Sequence, residues 1–244
     1  MAISFVGGNQ DFAANGGNVA LTLPGSMAQD DLVIVTYATG TNFDHDMSIS
    51  DSGWTEVADL IGSDTRIGNV GVFYKFMGAS PDVTATCVGT GGGSDVTIAA
   101  CLAFRGVKLV ANGGPFDATS TTNTGINGTN VDPPAITWTT AGTWTVLAYG
   151  TSTATSVGTA VDMPAGYVTN QQVQVQAETR PAMHGIGYNS SPASTENPAD
   201  MDMSGFCNTS DGWAAVTMAL ASAAPPAPPT TIIRHGVGRT AGSF

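Results

Sequence analysis

Short apolar runs recur along the whole chain, and each is closed by Gly, Pro, Asn or Asp. The runs are rich in β-branched and aromatic residues, a pattern typical of β-strands. Within residues 95–104 large apolar side chains alternate with Thr, Ala and Cys, which predicts a strand that is covered on both faces. We therefore predict strands at residues 31–39, 70–77, 82–88, 95–104, 136–139, 143–150, 167–176 and 212–220.

Several of these segments occur twice. The stretch LVIVTY beginning at Leu32 is matched by WTVLAY beginning at Trp144, and Gly53-Trp54 is matched by Gly166-Tyr167. Because the matched pairs are all separated by about 113 residues, the pattern predicts an internal duplication, with pseudo-repeats at about residues 20–107 and 134–221. The halves then form either the two sheets of one sandwich or two small β domains.

The connection between the repeats favours one domain. Residues 111–130 are long and polar, but they contain no Pro-rich or highly charged linker. We therefore predict an all-β fold: an antiparallel, jelly-roll-like β-sandwich with an internal duplication over residues 1–222. An extended, Pro-rich C-terminal arm over residues 223–244 follows it.

The charge balance argues against nucleic acid as a partner. The chain has 7 Lys and Arg against 19 Asp and Glu, a formal net charge of -12, which disfavours binding to phosphate backbones. No apolar stretch is long enough to span a membrane and no secretion signal is recognisable, so we expect synthesis and assembly in a cytoplasm. The three widely spaced cysteines predict buried free thiols rather than disulfides or a zinc site.

The segment 223–244 differs from the acidic body, since it carries two arginines, a histidine and no acid. Its four prolines favour an extended polyproline II conformation. We predict that this arm docks on another subunit, with its β-prone part joining a sheet edge or filling an apolar groove and its cations meeting carboxylates. The alternative is an arm folded against its own sandwich. The predicted partner-binding residues are Thr231, Ile232, Ile233, Arg234, His235 and Arg239.

Enzymatic chemistry is not indicated by the sequence. A glycosidase needs two carboxylates across the scissile bond, and the three glutamates lie in polar stretches with no pair standing out. There is no G-x-S-x-G elbow, and none of the three histidines has a Ser/His/Asp context. We therefore predict no enzyme, no catalytic residue and no cofactor.

One loop has a weak metal-binding pattern. Asp44 and Asp46, within Asn42-Phe43-Asp44-His45-Asp46, place two carboxylates two residues apart and are weak candidates for calcium ligands. The favoured interpretation is a solvated loop in which these side chains cap backbone amides. The prediction is therefore no metal site.

Four segments together resemble a known family. In order along the chain they are residues 30–35 (DDLVIV), Gly53-Trp54-Thr55, Phe73-Tyr74-Lys75 and residues 103–107 (AFRGV). This arrangement resembles the β-sandwich structural proteins of tailed bacteriophages, which are described as virion, tail or head-decoration proteins. The resemblance covers the body of the chain and excludes the Pro-rich arm.

The resemblance implies a non-enzymatic virion protein, oligomeric or arrayed in many copies, whose partners are capsid or tail subunits. Decoration of the head is the first expectation. The alternative is a tail or fibre component with a glycan-binding role, for which exposed tryptophans would be the expected feature. The motifs also have structural meanings: Gly53 and Gly166 permit turns, and Arg105 is expected to pair with a nearby Asp.

Overall fold

The computed structural model describes residues 2–62, 67–126, 129–152, 163–175, 181–204, 206–207 and 211–223, which form an almost entirely β structure. One 3-10 turn, Val110–Asn112, is the only helical element in these residues, so no helix among them could cross a membrane. The strands are β1 (Ser4–Ala14), β2 (Val19–Thr22), β3 (Leu32–Thr41), β4 (Thr55–Gly62), β5 (Ile67–Phe76), β6 (Thr84–Cys87), β7 (Val96–Arg105), β8 (Thr121–Gly125), β9 (Asn130–Val131), β10 (Ile136–Thr137), β11 (Trp144–Ser152), β12 (Val168–Val175), β13 (Ala182–Asn189), β14 (Thr195–Glu196), β15 (Met201–Asp202) and β16 (Trp213–Leu220).

Two five-stranded antiparallel sheets form the sandwich. The first has the order β1-β7-β3-β5-β4 and comes entirely from the N-terminal half. The second has the order β12-β13-β11-β16-β8 and comes entirely from the C-terminal half. The sheets pack face to face, with β3 and β5 against β11 and with β7 against β13. The fold is therefore the predicted antiparallel β-sandwich.

The two sheets have equivalent strand orders. β3 lies between β7 and β5 in the first sheet, and β11 lies between β16 and β13 in the second. β4 and β12 then form one pair of edges, and β1 and β8 form the other. The matched segments beginning at Leu32 and Trp144 thus occupy the same central place in their sheets. The internal duplication itself stays a prediction, to be tested by superposing the two halves.

The main core lies between the sheets. Ile34 and Leu102 of the first sheet pack with Val146, Val216 and Met218 of the second, and all five side chains are fully buried. Burial of such side chains contributes roughly 1.5–3 kcal/mol each relative to exposure. The strands that supply them are the β-branched runs that the sequence pattern predicts.

A smaller β layer covers the outer face of each sheet. The β2–β6 pair covers the first sheet, so that Leu21 packs with Ala99 and Cys101 of β7. The β9–β15 pair covers the second sheet, so that Met201 packs with Tyr149 of β11. β7 is consequently buried on both faces, as its alternation of large and small side chains predicts.

All eight predicted strands are present, but several others are not evident from the sequence. β1 and β8 are rich in polar residues or glycine, β4 carries two acids, and β13 contains two glycines and a histidine. These strands form because tertiary pairing overrides low β propensity. The predicted turns are confirmed, since Gly53 and Gly166 have φ values of 86° and 93°.

Candidate attachment surface

The two ends of the sandwich are packed differently. At one end, which we call the glycine end, backbones of the two sheets are in direct contact. A Cβ on Gly62 would lie 2.3 Å from the carbonyl oxygen of Trp213, and one on Gly68 would lie 2.8 Å from that of Gly212. Only glycine fits such an approach, so the sheets close against each other here.

Large rings fill the opposite end, which we call the aromatic end. The ring of Phe104 meets those of Phe5, Tyr188 and Trp144 edge-on, with centroid distances of 6.1, 5.7 and 6.2 Å. Tyr188 also stacks on Trp144 at 5.2 Å. Because rings occupy far more volume than glycines, they hold the two sheets further apart at this end than at the glycine end.

An ion pair between a buried carboxylate and a partly exposed arginine lies at the aromatic end. Arg105 Nε donates to Asp31 Oδ1 at 2.8 Å and Arg105 Nη2 donates to Asp31 Oδ2 at 2.7 Å. Asp31 is fully buried, whereas the Arg105 side chain is 45% exposed. The hydrogen bonds and charge of Asp31 raise the pKa of Arg105 above its ordinary value. The predicted pairing of Arg105 with an aspartate is confirmed.

The segments Gly53-Trp54-Thr55 and Phe73-Tyr74-Lys75 also meet in space. Lys75 Nζ lies 6.0 Å from the ring centroid of Trp54, donates to Ser52 O at 2.8 Å and pairs with Asp82 at 2.5 Å. A Cβ on Gly53 would lie 3.1 Å from Lys75 Cε. These motif residues therefore position a turn against a neighbouring strand.

The last described residues lie at the aromatic end of the sandwich. Lys108 N donates to Ala221 O at 2.9 Å and Ala223 N donates to Gly106 O at 2.8 Å, so residues 221–223 run antiparallel to residues 106–108. Two cavities, which we call the exit cavities, flank this segment. One, of about 280 Å³, is lined by Asp30, Asp31 and Arg105; the other, of about 750 Å³, is lined by Lys108, Asn112 and Thr140.

A third depression, the β4 groove, lies between β4 and residues 116–120. Its volume is about 450 Å³. Tyr74 and Phe116 form its apolar part, with their rings edge-to-face at 5.4 Å. The lining residues are Thr55, Glu56, Val57, Tyr74, Phe116, Asp117, Ala118, Thr119 and Ser120.

The two carboxylates of the β4 groove have different surroundings. Asp117 Oδ2 accepts hydrogen bonds from the backbone amides of Thr139 and Thr140 at 2.9 and 2.7 Å. Burial raises the pKa of Asp117, but these bonds, the Thr140 hydroxyl and the charge of Lys108 lower it by more. Glu56 is exposed and has no hydrogen bond or ion pair with any described residue. Asp117 thus organises the groove, while Glu56 remains available to a cation.

The weak metal candidates, Asp44 and Asp46, are exposed in the loop between β3 and β4. Within the part of the chain that the structure describes, no three His, Cys, Asp or Glu side chains converge as metal ligands. The three cysteines are buried free thiols, as predicted, and burial raises the pKa of both Cys101 and Cys207 to about 12. Raised pKa values disfavour the nucleophilic thiolate.

The tryptophans do not form an exposed platform. Trp138 and Trp213 are buried, and Trp54 and Trp144 are half-buried. The feature expected of a glycan-binding face, aromatic rings side by side on open surface, is therefore not supplied by these four residues.

The predicted partner-binding residues, from Thr231 to Arg239, lie outside the described residues. The β4 groove, in contrast, is a feature that sequence reasoning missed. The segments that form its two walls, residues 55–57 and 116–120, are far apart in the sequence, so no local pattern indicates that they meet. Glu56 appears in the sequence only as a glutamate in a polar stretch. The one sequence signal of the groove is Phe116, an aromatic within the otherwise polar connection between the repeats.

No family model, curated protein or solved structure matches this chain.

Proposed function

We propose that this chain is a non-enzymatic structural protein of a tailed-phage particle, of the decoration or cement type, displayed on the particle and anchored by its C-terminal arm. The resemblance of the body to phage β-sandwich proteins motivates the proposal. The residues that carry this resemblance add support because their contacts have a structural role. Arg105 neutralises the buried Asp31, and Lys75 packs over Trp54.

One observation carries the anchoring part of the proposal. The last described residue, Ala223, is hydrogen-bonded to Gly106 and lies between two cavities at the aromatic end of the acidic sandwich. The sequence beyond this point changes to four prolines followed by Arg234, His235 and Arg239. A basic segment leaving an acidic body at one end suits attachment, with the sandwich as the displayed part.

Two experiments test the proposal. Immunogold labelling of intact particles with an antibody against the sandwich should decorate the head shell; labelling confined to the tail would favour the tail component instead. Truncation after Ala224 should leave a folded sandwich that no longer enters particles. If the truncated protein is incorporated at full occupancy, the arm is not the anchor.

A further inference from the structure

The β4 strand is an open edge of the first sheet. In the described part of the chain it pairs with β5 alone, and its register shifts between Glu56 and Ala58, which marks a bulge at Val57. Backbone amides and carbonyls on the unpaired side of an edge strand form a template for another extended segment. The β4 groove runs beside this edge.

Charge distinguishes the β4 groove from the exit cavities. Each exit cavity contains a cation of its own. In the larger cavity Lys108 would repel a cationic guest. In the smaller cavity a cationic guest would compete with Arg105 for Asp31. The lining of the β4 groove contains Glu56 and Asp117 and no cation. It combines acids with the apolar rings of Tyr74 and Phe116, which suits a guest that is both apolar and basic.

One further carboxylate, Asp59, lies on the same strand. Asp59 accepts a hydrogen bond from Met47 N at 3.1 Å. Burial raises the pKa of Asp59, and the negative charges of Glu56, Asp46 and Asp44 raise it further. The β4 edge is therefore a region of excess negative charge.

We propose that the β4 groove binds the C-terminal arm of a second copy of this chain. Residues 231–233 of the arm add alongside β4 and place Ile232 and Ile233 against the apolar part of the groove, and Arg234 pairs with Glu56. The inference rests on the proposed function in so far as the arm is an attachment segment, and it identifies the neighbouring copy as the arm's binding partner.

The spacing along the chain favours a neighbouring copy over the arm's own sandwich. Phe116, at the mouth of the β4 groove, is bridged to Leu220, only three residues before Ala223, which corresponds to a span of roughly 10 Å. Thr231 follows Ala223 by eight residues, which span about 25 Å at the polyproline II rise that the prolines favour. A spacer that keeps this extended form would carry the β-prone residues well past their own groove, so we assign them to the groove of a neighbouring copy.

The test measures self-association of the full chain by sedimentation velocity over a range of concentrations. Glu56→Lys and Arg234→Glu should each weaken association roughly tenfold or more, because each replaces an attraction with a like-charge contact. An equimolar mixture of the two variants should regain association. In the mixture, the intact arm of the Glu56→Lys chain meets the intact groove of the Arg234→Glu chain.

A matched control is available at the opposite edge of the same sheet. Asp11 is an exposed acid on β1, and Asp11→Lys makes the same charge change away from the groove. It should leave association unchanged. Three results would overturn the proposal. The full chain could stay monomeric at all concentrations, Glu56→Lys could leave association unchanged, or Asp11→Lys could weaken association as much as Glu56→Lys does. Variants whose mixture fails to recover would overturn it as well, since that result indicates that Glu56 and Arg234 do not meet across two chains.

The same variants separate this inference from the proposed function. If truncation after Ala224 abolishes incorporation into particles but Glu56→Lys does not, the arm is an anchor and the β4 groove is not its partner. If the full chain binds host polysaccharide and Glu56→Lys abolishes that binding while self-association is retained, the groove belongs to a glycan and the proposal fails.

Discussion

Thr36 and His184 meet in the core between the two sheets, where Thr36 Oγ1 lies 2.6 Å from His184 Nε2. Both residues are fully buried. The second ring nitrogen of His184, Nδ1, has no hydrogen-bond partner among the described residues. Burial lowers the pKa of His184 to about 3, because a charged imidazole in this apolar core would lose its hydration without a compensating acid. The imidazole is therefore neutral in the folded protein.

Acid should destabilise the protein through His184. In the unfolded chain the imidazole binds a proton near pH 6.5, whereas in the folded chain it does not until about pH 3. The stability that a neutral His184 confers is thus fully present above pH 6.5 and is lost as pH falls towards 3. Between pH 7 and pH 4.5 we expect a loss of roughly 3 kcal/mol in the free energy of unfolding, measured by urea denaturation.

A double variant provides the control for this prediction. Thr36→Val with His184→Leu removes both polar partners together and should abolish this part of the acid loss, with little change in stability at pH 7. His45→Gln, which alters a half-buried histidine in a loop, should retain the loss. An unchanged pH dependence in the double variant would contradict the assignment to His184.

Gly62→Ala should destabilise the sandwich by roughly 2 kcal/mol, since its Cβ would press on the Trp213 backbone and force the sheets apart. Chemical denaturation measures the change. Gly78 is the matched control, because a Cβ there would have no atom within 4 Å and its backbone conformation is open to other residues. A Gly62→Ala midpoint equal to that of Gly78→Ala would show that the sheets are not in contact at the glycine end.

Arg105→Gln should lower the denaturation midpoint, because it leaves the buried carboxylate of Asp31 without its cation. Adding Asp31→Asn should recover part of that loss, since the amide is neutral and its oxygen can still accept the hydrogen bond from Ala28 N. The expected order of midpoints is the native chain, then the double variant, then Arg105→Gln. A double variant less stable than the single variant would contradict a dominant charge effect.

Chelator should leave the melting temperature unchanged, since Asp44 and Asp46 are exposed and no third ligand joins them among the described residues. Differential scanning calorimetry with and without EDTA measures this. A drop in melting temperature that calcium reverses, and that Asp44→Ala abolishes, would reassign the loop as a calcium site.

The central strands could be predicted from sequence because their periodicity reflects burial. β3, β7, β11 and β16 are covered on both faces, so their β-branched and aromatic residues form recognisable runs. β4 could not be predicted in this way. It is an edge strand that faces solvent along much of its length. Glu56 and Asp59 interrupt the apolar pattern that Val57 and Leu60 would otherwise form in the sequence.

The candidate site was less accessible to sequence reasoning than the fold. The Asp31–Arg105 pairing follows from the chemistry of one arginine at the end of a core strand. The β4 groove and the Thr36–His184 contact instead depend on which distant segments face each other, and this is decided by the packing of two sheets. A single histidine in a run of small residues carries no signal of its partner.

The pairing of residues 221–223 with residues 106–108 has a mechanical consequence. A pull on residue 224 passes directly into β16, and through the bond between Ala223 and Gly106 it also reaches the end of β7. β16 is hydrogen-bonded to β11 and β8, and β7 is hydrogen-bonded to β1 and β3. A pull directed along these strands would load many ladder bonds at once, in shear, in both sheets. A sandwich tethered at this point would share the force between its two halves instead of unzipping one strand at a time.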